Sequence, residues 1–92
     1  MKTLAEYRSS LDRIDATLVS ILAERFRITD EVGVFKKEHD IAPTDAQREK
    51  RQFDRIRELA ATHGLEPEIA EAVLRLVIDK AVERHRIIQG SG

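Results

Sequence analysis

The sequence predicts an all-α protein, on three observations. Apolar residues recur at helical spacing through the first ~36 residues. Apart from Gly33, every proline and glycine (Pro43, Gly64, Pro67, Gly90 and Gly92) falls between or after the long periodic segments. No stretch alternates with the period of two that a half-buried strand requires.

The first element is the longest. Leu4, Tyr7, Leu11, Ile14, Leu18 and Ile21, then Ile28, Val32 and Phe35, follow a 3-4-3-4 spacing, the seam of a packed helix pair. One helix from Thr3 to Glu38 is expected, ~54 Å long at 1.5 Å per residue. Gly33 costs it about 1 kcal/mol, which so long a helix tolerates. Ordinary helices run ~11–12 residues, and two shorter segments of the same chain cannot cover such a rod. A second copy is expected against it, because a chain this short buries only a modest core.

Residues 39–43 break the pattern, and Pro43 turns Ala42 away from helical geometry. Thr44 with Gln47 reads as a capping box for the second helix, with Asp45 favoured in its first turn. Phe53, Ile56, Leu59 and Ala60 continue that helix until Gly64 offers a left-handed stop. Pro67 suits the first turn of a third helix, where its missing N–H is no loss. The apolar stripe there runs Ile69, Val73, Leu74, Leu76, Val77, Ile78, Ala81 and Ile88. This organisation makes residues 1–89 a single domain and 90–92 a flexible C-terminal tail.

Composition removes several kinds of function. The 92 residues carry 16 Lys+Arg against 17 Asp+Glu, a formal net charge of −1, so no basic field draws in nucleic acid. One Tyr, three Phe and no Trp make no stacking platform for bases. The absence of Cys excludes disulfides, thiolate zinc sites and cysteine nucleophiles. His39, His63 and His85 are widely spaced and form no metal-ligand motif, so no metal is expected. No glycine-rich phosphate loop is present, and Ser9, Ser10 and Ser20 lack a nucleophile-elbow context. With no ~18-residue apolar run and no apolar segment after Met1-Lys2, a soluble cytoplasmic protein is expected.

The residues that depart from a plain bundle are charged. Arg25 stands in the seam of the first helix, where an apolar residue belongs. Either it pairs with a glutamate or reaches water, or the seam opens there into an anion pocket. Lys36 lies on the same face about 16–17 Å further along, and Arg8 about 25 Å before Arg25. Arg25 and Lys36 can hold one small dianion between them; Arg8 reaches it only from the partner of a two-fold dimer. Asp45, Arg48 and Glu49 share one face of the second helix, which taken alone is a surface ion-pair cluster. His85, in line with Ala81 and Val77, reads as a core or interface histidine.

Together these residues resemble the all-α class of chorismate mutase. The resemblance rests on Leu22-Ala-Glu-Arg-Phe-Arg-Ile-Thr-Asp-Glu-Val-Gly33, then Lys36, then Asp45-Ala-Gln-Arg-Glu49. It extends to Arg8 … Leu11-Asp-Arg-Ile-Asp15 near the start and covers about residues 4–88. It implies one very long N-terminal helix and two shorter ones in an intertwined homodimer with shared active sites. The implied reaction is the cofactor-free Claisen rearrangement of chorismate to prephenate, in aromatic amino-acid synthesis.

By the same resemblance, Arg25, Arg48 and the partner's Arg8 grip the two substrate carboxylates, and Lys36 donates to the ether oxygen as charge develops there. Asp45 and Glu49 accept from the ring hydroxyl. Two positions depart from the family pattern. His85 stands where Gln or Glu commonly shares the ether oxygen, and Ala81 where a serine often assists a carboxylate. His85 is expected to serve as a donor, with turnover sensitive to pH near neutrality, and Ala81 to weaken substrate binding. Lys36, His85 and Arg48 are thus the expected catalytic residues. Isochorismate-pyruvate lyase and 4-amino-4-deoxychorismate mutase chemistry use the same scaffold. Keeping both Asp45 and Glu49 favours a substrate with a polar group at ring C4. A catalytically silent helical dimer is the alternative of another class, and the retained cation set argues against it.

Overall fold

The computed structural model describes residues 1–90 and consists of three helices joined by two turns. α1 spans Leu4–Glu38, α2 Ala46–Thr62 and α3 Pro67–Gly90. The 35 residues of α1 form the expected uninterrupted rod. Its N-terminus is capped by Thr3, whose Oγ1 accepts the Glu6 N–H at 3.2 Å.

Both turns close in the same way. Asp40 (φ 53°) and Gly64 (φ 70°) adopt the left-handed conformation. The next N–H then reaches back, Ile41 to the Lys36 carbonyl and Leu65 to the Ala60 carbonyl, each at 2.8 Å. These bonds satisfy carbonyls that a helix end would leave unpaired. Aspartate is one of the few residues besides glycine that adopts this conformation readily.

Two local expectations change. Thr44 does not cap α2: Asp45 does, its Oδ1 accepting the Arg48 N–H at 3.1 Å. A carboxylate at the cap also opposes the positive end of the helix dipole, which a threonine hydroxyl does not. Gly90, expected in a flexible tail, is the last residue of α3; the remainder of that tail, residues 91–92, lies outside the described residues.

α3 is the shared wall. α1 and α2 each pack against it and not against one another. His85 Nε2–H donates to the Thr29 carbonyl at 2.7 Å, and Arg84 forks onto Asp30, its Nε 2.7 Å from Oδ1. This hydrogen-bonded guanidinium holds the Asp30 carboxyl below its ordinary value of 3.8. Gly33, buried, is what permits the approach: a Cβ there would lie 2.7 Å from His85 Cδ2 and 3.0 Å from Ile88 Cδ1. On the other side, Arg57 Nη1 bonds Glu71 at 3.0 Å.

The core is thin. Its buried apolar side chains are Ala60, Ala70, Val77, Ile78 and Ala81, and no large side chain among the described residues is fully enclosed. α3 packs on the Thr29–Gly33 face of α1, roughly a quarter-turn from the seam. From Leu4 to Phe35 the seam residues remain 40–62% exposed. The α3 stripe also divides, with Val77, Ile78 and Ala81 inside and Ile69, Val73 and Leu76 outside. The chain measures 57 × 27 × 14 Å, with a radius of gyration of 16.7 Å against about 12 Å for a compact chain of this length. No helix among the described residues is long and apolar enough to cross a membrane.

Candidate functional site

Because α1 and α2 lean on α3 without touching, a pocket of about 390 Å³ opens between the three helices. α1 contributes Arg25, Ile28, Thr29, Val32 and Lys36, and α2 contributes Asp45, Arg48, Glu49 and Gln52. Pro43 from the intervening turn and Ile78, Ala81, Val82 and His85 of α3 complete it. Seven of the eight residues singled out in the sequence therefore meet in one place. The eighth, Arg8, lies outside the pocket of its own chain, as its distance along α1 requires.

The charges in this pocket are arranged unusually. Arg25, Lys36 and Arg48 form no ion pair among the described residues, although Asp45 and Glu49 line the same cavity. Each carboxylate is engaged elsewhere. Asp45 caps α2 through Oδ1, and Glu49 Oε1 is 3.2 Å from Arg75 Nη1 of α3. Lys36 Nζ donates to the Pro43 carbonyl at 3.3 Å, tying α1 to the turn. A groove of about 440 Å³ on the other side of the α1–α3 contact makes the contrast clear. Its two arginines are already neutralised, Arg84 by Asp30 and Arg27 by Glu24.

His85 is 5% exposed. Its Nε2 faces a carbonyl oxygen, so that nitrogen carries the proton, and Nδ1 is left as a lone-pair acceptor in the neutral ring. The His85 Nδ1 and Gln52 Oε1 atoms are buried without a hydrogen-bond partner, and both residues line this pocket. Unpartnered buried polar atoms are uncommon and mark places where a ligand or a proton changes the balance.

Sequence reasoning missed Thr29, Gln52 and the apolar lining. Gln52 stands one turn beyond Glu49 on the pocket face of α2, and Thr29 one turn beyond Arg25 on α1. That spacing was the available signal. Ile28 and Val32 belong to the seam, whose upper part floors the pocket.

The chorismate mutase type II family matches residues 7–86. A chorismate mutase of Methanocaldococcus jannaschii is 31% identical over 86 residues, covering 91% of this chain and 87% of that protein. A bifunctional chorismate mutase/prephenate dehydratase of Buchnera aphidicola subsp. Acyrthosiphon pisum is 28% identical over 80 residues, 87% of this chain and 21% of that protein. A T-protein of Haemophilus influenzae is 29% identical over 75 residues, 82% of this chain and 20% of that protein. The chain thus spans most of the first relative and about a fifth of the two longer ones.

Proposed function

The chain belongs to the chorismate mutase type II family, and we propose that it is a chorismate mutase whose substrate occupies the pocket between its three helices. The observation that carries this reading is the set of unpaired cations, Arg25, Lys36 and Arg48, beside carboxylates that are engaged elsewhere. A pocket so charged suits a dicarboxylate. Arg25 and Arg48 take the carboxylates, where a planar guanidinium fork gives two parallel bonds. Gripping both ends holds a flexible substrate in a compact near-attack form, a contribution of several kcal/mol.

The rearrangement breaks the ether C–O bond as a C–C bond forms, and no proton moves. Negative charge grows on the ether oxygen. Lys36, steadied by the Pro43 carbonyl, donates there, and a preorganised donor of this kind contributes about 3–4 kcal/mol. Asp45 and Glu49 keep one carboxylate oxygen each for the ring hydroxyl. His85 is a conditional donor: with Nε2–H on Thr29, it has a second N–H to give only as imidazolium. Ala81 supplies wall and no hydrogen bond.

A homodimer with shared sites completes the proposal. The accessible surface of the chain is 7244 Å², whereas a compact monomer of 10.5 kDa exposes about 5,400 Å². The excess, about 1,800 Å² per chain, is the scale of an obligate interface, and the exposed α1 seam is the apolar face to fill it. In an antiparallel pair of long helices, Arg8 of one chain approaches the Arg25 pocket of the other.

The test is direct. Purified protein incubated with chorismate yields prephenate, and with isochorismate no salicylate plus pyruvate. Failure to convert chorismate would end this reading. Arg8→Ala and Arg25→Ala are each expected to be inactive. Their equal mixture, after subunit exchange, recovers about a quarter of wild-type activity, since half the dimers carry one intact site of two. No recovery on mixing rules out the shared site.

A further inference from the structure

A pocket that must hold both cations and carboxylates faces a difficulty: the carboxylates are the nearest anions available to the cations. Glu49 lines the cavity with Arg25, Lys36 and Arg48. Paired with any of them, it would neutralise a charge needed by the substrate and tie up its own acceptor. In the structure this pairing does not occur. Glu49 Oε1 is held at 3.2 Å by Arg75 Nη1, from α3, and Arg75 does not line the pocket.

Arg75 is itself held in place. Its guanidinium lies over the Phe53 ring, 4.5 Å from the centroid, and its Nη1 is 3.6 Å from Asp79. A flat cation resting on a ring loses much of its freedom to rotate. One turn of α3 therefore carries the counter-charge, and the aromatic of α2 fixes where that charge points. The side chain of Arg75 is 52% exposed and that of Glu49 25%, so the pair adds little to stability. Its effect is directional: Glu49 is drawn toward a residue outside the cavity lining.

We infer that Arg75 is a positioning residue for the proposed reaction, holding Glu49 off Arg25, Lys36 and Arg48 so that these stay free for a dicarboxylate. The inference rests on the chorismate mutase reading of the pocket. Without Arg75, Glu49 closes onto a pocket cation, and substrate must break that pair before it binds. Ground state and transition state suffer equally, so KM rises while kcat holds.

The experiment is a double-mutant cycle in the full chain, with chorismate as the probe, using Arg75→Gln, Glu49→Gln and both together. Arg75→Gln is expected to raise KM about fivefold, the factor matching an exposed ion pair of about 1 kcal/mol. kcat stays within about twofold and the unfolding temperature is nearly unchanged. Arg75→Lys recovers part of the loss, and in the Glu49→Gln background Arg75→Gln has no further effect. An equal loss in both backgrounds, an unchanged KM, or a loss that tracks unfolding temperature overturns the inference. If the wild-type chain does not turn chorismate over, the underlying reading has failed. The same cycle is then read as the Kd for chorismate by calorimetry, so the two can fail separately.

Discussion

Replacing Gly33 by alanine sets two effects of known size against each other. In an exposed helix interior the change stabilises by about 1 kcal/mol, because alanine has less backbone entropy to lose. At Gly33 the new Cβ would lie 2.7 Å from His85 Cδ2, where ordinary contact begins at 3.4 Å. The ring must retreat about 0.7 Å, which carries Nε2 away from the Thr29 carbonyl it now meets at 2.7 Å. Overpacking of this kind costs about 2 kcal/mol, and the lost hydrogen bond about 1 kcal/mol. Subtracting the helix gain leaves a net loss of about 2 kcal/mol. That corresponds to a fall in Tm of roughly 8–16 °C for a domain of this size. Thermal unfolding by circular dichroism measures it, at matched protein concentration because association shifts apparent stability. The decisive control is the His85→Ala background. Of the three atoms nearest the new Cβ, only the flexible tip of Ile88, at 3.0 Å, then remains, and Gly33→Ala becomes neutral or stabilising. Equal effects in the two backgrounds, or a more stable single variant, refute the tight α1–α3 contact.

Two further outcomes concern pH. With Nε2–H on the Thr29 carbonyl, His85 has an N–H for the ether oxygen only as imidazolium, so a donor role makes turnover fall as pH rises. The charges around it are Arg25, Lys36 and Asp30 on α1 and Asp45, Arg48 and Glu49 on α2. His85→Gln, whose amide always carries N–H donors, should retain activity with a flatter pH–rate profile; an identical profile removes His85 from the reaction. Asp30, held below 3.8 by Arg84, stabilises the fold above that ordinary value, and the contribution is lost as pH falls through the lowered folded value. Asp30→Asn should therefore lower Tm at neutral pH, and the two melting curves should converge on acidification; a constant gap across pH contradicts this.

The helices were legible because their signals are local. Seam spacing, Pro67 and Gly64 act within a turn or two of themselves, and the structure has helices where they indicate. The α2 cap was misread by one residue because Thr44 and Asp45 both satisfy the local rule, and only the backbone geometry chooses between them. Gly33 carried no legible meaning beyond a helix penalty. Its purpose depends on His85, far along the chain, arriving against it.

The pocket divides in the same way. Arg25 in a seam, Lys36 three turns on and the Asp45–Glu49 face can be read from 3.6-residue periodicity, which fixes what shares a face of one helix. Which carboxylate holds which cation cannot be so read. Whether Glu49 pairs with Arg48, Lys36, Arg25 or Arg75 depends on how α2 and α3 approach, and hydrogen bonds form only within about 3 Å. The chain order of residues thus settled which charges are present and on which helix faces. The packing of α1 and α2 on α3 settled which charges are neutralised and which stay free, because pairing follows distance in space.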